Sequence, residues 1–353
     1  MKFVSTKIKR YAKNTVYFLS FYSGIFYLFV AFYLKFKRRN YPAVILFYHR
    51  FKEQNETTVL ARLWAKSFER QMLFLKKWCN VISLEALIEK IRNKEDFSRP
   101  TVVITIDDGF RDNYDVAYPI LKHLDLPATI YLTSGFINTQ KAPWVDEIGN
   151  ALVETNLKKL TFPVLFGDAV IQISTSEQQS IALHSIYKEL LYLEHDRNVV
   201  LVQQLLNVLG RNYGSPINER VMLNWEEIRE MSQAGISFGA HTVTHPTLSR
   251  MRLEEAESEI GESKRTLEKE LGIEINHFAI PNGQNKDFTE PLRAYCEAGL
   301  FASVTTTNHG CVTKSSDPFN LPRICIHAPF YYFSIELLRL LIMVRGEEYE
   351  EIR

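Results

Sequence analysis

The stretch TVVITIDDGF, residues 101–110, decides the fold of this chain. Its uncharged opening is typical of a strand that is buried on both faces of a parallel sheet. Asp107 and Asp108 stand at the carboxyl end of this predicted strand, 101–108, which is where α/β folds place their chemistry. Adjacent strand residues point to opposite faces, so both carboxylates serve one site only where the backbone turns. Gly109 permits that turn.

Strand-like and helical runs alternate on both sides of this stretch, which predicts a parallel sheet or barrel with helices outside it. The alternation stops between about residues 138 and 220, where 178–209 has apolar residues three or four apart. This segment is predicted to be a mainly helical insertion, placed as a lid or as a cover on the substrate side. The predicted strands are 43–50, 101–108, 128–135, 236–242, 277–281 and 302–306, and the predicted helices are 66–77, 84–91, 224–234 and 253–271.

The composition indicates a globular chain that can bury a substantial core in one large or two small domains. A formal net charge of +1 over 353 residues gives no support to nucleic-acid binding, which normally needs a basic face. The four cysteines show no CxxC spacing, so neither a zinc ribbon nor a redox dithiol is indicated.

An uncharged stretch, residues 15–34, predicts a membrane-associated segment at the N-terminus, with lipid as a partner. A helix of this length can cross about 30 Å of hydrocarbon, and its many aromatic residues also suit a helix in the membrane interface. Basic residues flank it on both sides, so the side of the membrane is not assigned. A helix packed on the protein's own surface is the alternative. The predicted division is an anchor segment at 1–40, a main domain at 41–330, and a C-terminal amphipathic helix and tail at 331–353.

The pentapeptide HTVTH, residues 241–245, is the clearest metal signal in the chain. His241 and His245 are four residues apart, which on one turn brings their β-carbons to about 5 to 6 Å from each other. These imidazoles and one carboxylate of the Asp pair make a three-ligand set for a divalent ion, with zinc favoured, and the other carboxylate is left free as a base. Two other interpretations stay open: the Asp pair caps a helix, or it holds a metal with a nucleotide sugar in a glycosyltransferase. The His pair argues against the second, because such sites prefer oxygen ligands.

Several motifs together resemble the polysaccharide deacetylases of carbohydrate esterase family 4, which share the NodB homology domain. The resemblance spans about residues 41–330 apart from the insertion, and it is closest to the branch with a Tyr-His pair in the first strand, similar to poly-N-acetylglucosamine deacetylases. It implies a distorted (β/α) barrel. The motifs are TIDDG (105–109), HTVTH, FAIPNG (278–283), LFYHRF (46–51), FERQMLFL (68–75), WEEIREMSQAG (225–235) and LPRI (321–324).

The resemblance also implies a role for each site residue. Asp107 matches the catalytic base, whereas Asp108, His241 and His245 match the metal ligands. The leaving nitrogen needs a proton, and His49 matches the general acid of the Tyr-His branch. His327 is the rival for that role because the acid of better-known members lies late in the chain.

Two departures from the family pattern affect the site. The family's R-x-P-Y reads Ala279-Ile280-Pro281-Asn282 here, so neither the Arg that pairs the base nor the aromatic residue is in its usual place. Arg323 is predicted to replace that guanidinium, since a buried base without a cation would have a raised pKa. Pro281, Asn282 and Trp225 are candidates for substrate contact. For three residues that open the insertion, a solvated surface is predicted rather than sugar contact: Trp144, Asp146 and Glu147.

The predicted function is metal-dependent hydrolysis of an N-acyl group, an N-acetyl group above all, from an amino sugar. The membrane segment favours a lipid-linked saccharide or a nascent surface polysaccharide as substrate. A metal-dependent glycosyltransferase and a carbohydrate-binding membrane protein that has lost catalysis are the alternatives.

Overall fold

The computed structural model describes residues 41–53, 62–214, 220–325 and 329–343, together with scattered positions between 16 and 32. Within these residues the strands are β1 (Ala43–Tyr48), β2 (Phe51–Lys52), β3 (Leu63–Trp64), β4 (Asn80–Val81), β5 (Thr101–Ile106), β6 (Thr129–Leu132), β7 (Lys159–Thr161), β8 (Val170–Gln172), β9 (Ser237–Ala240), β10 (His277–Ala279) and β11 (Ser303–Thr305). The α-helices are α1 (Ala65–Trp78), α2 (Leu84–Arg92), α3 (Tyr118–Leu124), α4 (Trp144–Glu154), α5 (Pro163–Phe166), α6 (Ser176–Leu190), α7 (His195–Val208), α8 (Trp225–Gln233), α9 (Leu253–Leu271), α10 (Glu290–Glu297) and α11 (Phe330–Met343).

A parallel sheet forms the centre of the fold, with strand order β1-β5-β6-β9-β10-β11 and β4 beside β5. All six positions of β5 are buried, as its uncharged sequence predicts for a strand covered on both faces. Because all strands of this sheet run the same way, their carboxyl ends meet at one edge. The α/β class and the parallel sheet are therefore confirmed.

The sheet curls so that its two outer strands approach each other. Residues 321–324 lie between them: the Leu321 amide donates to the Val304 carbonyl on β11 (3.0 Å), and the Ile324 amide donates to the Ile45 carbonyl on β1 (2.8 Å). This curvature brings the chain near Arg323 to the same edge of the sheet as the end of β5.

Helices cover the outside of the sheet, and their apolar sides pack with strand residues to form the main hydrophobic core. Each presents apolar residues at helical spacing to the sheet, as expected for amphipathic surface helices. The buried residues include Phe68 and Met72 of α1, Leu121 of α3, Ile228 of α8 and Ile260 of α9.

The segment between β6 and α8 forms a separate layer with its own apolar cluster. It holds α4, α6 and α7, and also a two-stranded antiparallel hairpin, β7–β8, that the helical prediction for 138–220 omits. Each hairpin strand has only three residues, which is too short for an alternating pattern to stand out. Residues 215–219 of the predicted insertion lie outside the described part. The cluster includes Ile148, Leu152, Leu183, Ile186 and Leu205.

The predicted membrane anchor is corrected by the structure. Among the described residues, no helix is both long enough and apolar enough to cross a membrane. The membrane localisation and the lipid partner predicted from residues 15–34 therefore lose their support, although most of that stretch lies outside the described residues. Tyr17 instead contacts α11, where its hydroxyl donates to Glu336 (2.9 Å) and its ring lies 5.5 Å from that of Tyr332. Apolar composition alone does not distinguish a bilayer contact from a contact with the protein's own helix.

Candidate active site

The turn after β5 directs two neighbouring carboxylates into one cleft. Asp108 has φ +76° and Gly109 has φ +80°, so the extended strand geometry stops at Asp107. A side chain at position 109 would also meet Leu132, because an added β-carbon would lie 2.8 Å from its Cδ2. Gly109 is thus required both by the turn and by the close approach of β6.

The HTVTH segment is a loop after β9, held by backbone hydrogen bonds. Thr242 and His245 both have positive φ, +67° and +59°. The His241 amide donates to the Leu132 carbonyl (3.0 Å), and the His245 amide donates to the Thr242 hydroxyl (3.0 Å). This compact turn brings the two imidazole rings to a centroid distance of 4.9 Å, so both face the same point.

Asp108, His241 and His245 form a candidate metal site. The Nε2 atoms of His241 and His245 lie 3.4 and 3.3 Å from the Asp108 Oδ1, and the three ligand atoms all lie within 4.8 Å of one another. Within the described part of the chain, this Oδ1 is buried and has no hydrogen-bond partner. Buried polar atoms are seldom left unsatisfied, so an oxygen flanked by two imidazole nitrogens fits a divalent cation.

The orientation of His241 and the lowered pKa of His245 also suit metal binding. His241 Nδ1 lies 2.6 Å from the Ala279 carbonyl, which can only accept, so Nδ1 carries a hydrogen and Nε2 is the nitrogen that faces Asp108 and is available to a metal. Burial, with the neighbouring imidazoles, lowers the pKa of His245 to about 4 and outweighs the opposing effect of Asp108. Burial alone would raise the pKa of Asp108, but His245 and His241 hold that pKa far below its usual range.

Asp107 is paired with Arg323, as the sequence predicts. Arg323 Nη1 donates to Asp107 Oδ1 (2.6 Å) and Nη2 donates to Oδ2 (2.8 Å), and both side chains are almost fully buried. Its Nε donates to the Thr306 carbonyl (3.0 Å), which fixes the plane of the guanidinium. Burial raises the pKa of Asp107, but the charges of Arg323, His241 and His49 outweigh it, and the pKa lies below its ordinary value. The carboxylate is therefore ionised at neutral pH.

His49 stands at the mouth of the cleft beside Asp107. Its Nε2 lies 3.8 Å from Asp107 Oδ2, and its side chain is 38% exposed, so the ring can reach both a bound molecule and solvent. The rival residue, His327, lies outside the described residues.

The cleft over these residues has a volume of about 390 Å³. Asn282 lines it, whereas Pro281 and Trp225 do not, and Trp225 packs partly buried against the main core at the start of α8. The cleft is lined by Phe47, His49, Asp107, Asp108, Pro143, Trp144, Val145, Asp146, Tyr187, Leu191, His241, His245, Ile280, Asn282 and Thr307.

The solvated surface predicted for the start of the insertion is wrong. Asp146 and Glu147 are buried, and Trp144 is half-buried in the cleft wall, because α4 packs with its first turn toward the active site. Arg50 Nη1 donates to Asp146 Oδ1 at 2.5 Å. Burial raises the pKa of Asp146 to about 6, although Arg50 acts in the opposite direction.

Two residues that support the metal loop have no clear signal in the sequence. The Glu259 carboxylate on α9 accepts hydrogen bonds from the Val243 and Thr244 amides, both at 2.8 Å, and from the Thr244 hydroxyl (2.7 Å). Gly135 lets the loop approach closely, since a β-carbon there would lie 2.6 Å from the Val243 carbonyl oxygen. Glu259 is one of many glutamates on a charged helix, and Gly135 resembles any glycine after a strand.

Comparisons with known proteins agree with this geometry and confirm the resemblance seen in the motifs. The chain belongs to the polysaccharide deacetylase family, whose model matches residues 94–199 and 201–300. The curated relative "Putative polysaccharide deacetylase YxkH" of Bacillus subtilis (strain 168) is 22% identical over 261 residues, which cover 73% of this chain and 63% of the relative. The chain thus spans less than two thirds of that relative's length.

Two solved structures share the fold over most of the chain. One is the Streptococcus pyogenes deacetylase PplD in complex with acetate, with 20% identity and a TM-score of 0.56 over 86% of this chain and 99% of that chain. The other is IcaB from Ammonifex degensii, with 15% identity and a TM-score of 0.54 over 84% of this chain and 96% of that chain. At these identities the similarity establishes the fold alone, and the roles of single residues rest on the site itself.

Proposed function

We propose that this protein is a metal-dependent hydrolase that removes an N-acyl group, an N-acetyl group above all, from an amino sugar of a polysaccharide. The observation that carries the proposal is the convergence of two imidazole nitrogens on the unsatisfied Asp108 Oδ1, next to a second carboxylate that is held by Arg323. Family membership supports the reaction class.

Asp108, His241 and His245 would hold the ion. Two imidazole nitrogens and one carboxylate oxygen are a common ligand set for catalytic zinc, which makes zinc the first metal to test. A divalent ion bound there supplies Lewis acidity, which polarises the acyl carbonyl and makes water easier to deprotonate.

Asp107 would be the general base. A carboxylate takes up a proton only if it is ionised beforehand, and Arg323 keeps the pKa of Asp107 low in spite of its burial. The two hydrogen bonds from the guanidinium also fix the carboxylate plane, so the base points at one place in the cleft.

His49 would donate the proton that the leaving amine requires. It is the cleft imidazole that is free of the three-ligand set, and its partial exposure leaves it open to solvent for reprotonation. Proton transfer to the leaving group is needed because an amide nitrogen is a poor leaving group without it.

The decisive test is amine release from N-acetylglucosamine oligomers by zinc-loaded protein. We expect release by the wild-type chain and its loss in Asp107→Asn, with metal content unchanged because Asp107 is not a ligand. Asp168→Asn, which alters an exposed aspartate of the insertion, serves as the matched control and should keep full activity.

Other outcomes separate the alternatives. Oligomer binding without amine release in any variant would indicate a carbohydrate-binding protein. Transfer from a nucleotide sugar that survives His241→Ala would indicate a glycosyltransferase. Either result would refute the deacetylase proposal.

A further inference from the structure

One wall of the cleft is built by the insertion and has no role in the chemistry proposed above. The proposed catalytic groups come from the ends of sheet strands and the loops that follow them. By contrast, Trp144 and Asp146 come from the first turn of α4, and Tyr187 comes from the last turn of α6. The insertion thus places two aromatic rings and a carboxylate in the same cleft as the metal ligands.

The two aromatic rings form a rigid, nearly parallel pair. The Trp144 and Tyr187 rings lie 5.9 Å apart with an angle of 18° between their planes, and both are half-buried. The Tyr187 hydroxyl donates to Asn282 Oδ1 (3.2 Å), and Asn282 Nδ2 donates to the Thr247 hydroxyl (3.0 Å), two residues after His245. These bonds connect Tyr187, and through the stack also Trp144, to the segment that follows the metal ligands.

Asp146 adds a fixed hydrogen-bond acceptor beside these rings. Its carboxylate is buried and receives a hydrogen bond from Arg50, whose Nε also donates to Asp112 (2.8 Å). The Arg50 guanidinium lies 4.0 Å from the centroid of the Phe110 ring, so the cation is itself held in place. An acceptor held this firmly costs little entropy when a ligand donor binds to it.

We infer that the insertion supplies a pyranose-binding subsite, in which Trp144, stacked on Tyr187, contacts the apolar face of a sugar ring and Asp146 accepts from its hydroxyl groups. A pyranose has one face of C–H groups and a rim of hydroxyls, which matches an apolar aromatic surface with a few placed polar groups. This inference rests on the proposed function for the position of the acyl group at the metal. The insertion would then determine which sugar is accepted, while the sheet edge determines the reaction.

The test compares a sugar substrate with a sugar-free one on the full-length, zinc-loaded protein. The sugar substrate is a pentamer of N-acetylglucosamine, and its hydrolysis is measured as amine release. The sugar-free substrate is 4-nitrophenyl acetate. Binding of a glucosamine pentamer, which carries no acyl group to remove, is measured by calorimetry. The variants are Trp144→Leu and Trp144→Phe, and Trp78→Leu is the control because this half-buried tryptophan packs on the main core outside the cleft lining.

We expect Trp144→Leu to weaken pentamer binding and to lower kcat/KM for the N-acetylated pentamer by about tenfold, mainly through KM. Hydrolysis of 4-nitrophenyl acetate should stay within about twofold of wild type, since it needs the metal site and no sugar contact. Trp144→Phe should recover part of the pentamer affinity because it keeps an aromatic ring. Trp78→Leu should leave the activity on both substrates unchanged.

The subsite would be overturned if Trp144→Leu bound the glucosamine pentamer within about twofold of wild type. It would also be overturned if Trp144→Leu lost equal activity on the sugar and the sugar-free substrate. Failure of the wild-type chain to bind either pentamer would overturn it as well. Binding that depends on Trp144, without amine release by the wild-type chain, would support the subsite and refute the proposed deacetylase function.

Discussion

Replacing Arg323 with lysine should both destabilise the protein and make its proposed base easier to protonate. The guanidinium donates two hydrogen bonds to Asp107, one to the Thr306 carbonyl and a longer one (3.3 Å) to the Thr105 hydroxyl, with no side-chain exposure. A lysine ammonium keeps the charge but cannot make the paired contact to both carboxylate oxygens and also reach Thr306. Loss of one charge-assisted bond and one buried carbonyl partner costs about 2 to 4 kcal/mol of unfolding free energy.

The pH dependence follows from the lowered pKa of Asp107 in the folded protein. A carboxyl group with a lowered pKa contributes stability above its unfolded pKa, and that stability is lost as the pH falls through its folded pKa. In Arg323→Lys this contribution is smaller. The difference in unfolding free energy between variant and wild type should therefore decrease as the pH falls. The acidic limb of kcat/KM should move to higher pH, because the base is protonated more easily.

Urea unfolding of zinc-loaded protein and the pH profile of amine release measure the two effects. Arg220→Lys is the matched control, since Arg220 also makes a paired contact to one carboxylate, Glu227, which lies outside the cleft lining. It should cost less stability, because its side chain is partly exposed, and should leave the acidic limb in place. The reasoning would be refuted if Arg323→Lys unfolded with the same free energy as wild type. It would also be refuted if the acidic limb of kcat/KM stayed at the same pH.

Three further substitutions test the remaining parts of the site. His245→Ala should release most of the bound zinc, as measured by metal analysis, whereas the exposed His184→Ala should retain it; full occupancy in the first would contradict the ligand assignment. His49→Ala should slow amide cleavage by about 10²- to 10⁴-fold while sparing 4-nitrophenyl acetate, whose leaving group needs no proton, and equal losses on both would argue against an acid role. Glu259→Ala should weaken zinc binding about tenfold in a chelator competition, because the metal loop loses three hydrogen bonds, and the neighbouring exposed Glu262→Ala should not.

Residues close together in the chain determined much of the site. The buried strand, the glycine turn and the adjacent carboxylates are all indicated within residues 101–110, since an uncharged run and a glycine are local signals for a buried strand and for a turn. The spacing of His241 and His245 likewise predicts that two imidazoles meet. Even the need for an arginine could be inferred, because a buried carboxylate base requires a cation wherever the chain supplies it.

The tertiary structure alone decided which distant residues complete the site. Arg323 reaches Asp107 because the sheet curls until residues 321–324 bridge its outer strands, and no local pattern encodes that curvature. The first turn of α4 faces the cleft rather than solvent, while Trp225 packs on the core, and these orientations depend on how the insertion packs on the sheet. Sequence periodicity indicates that a helix has an apolar side, but only the packed chain determines what that side contacts.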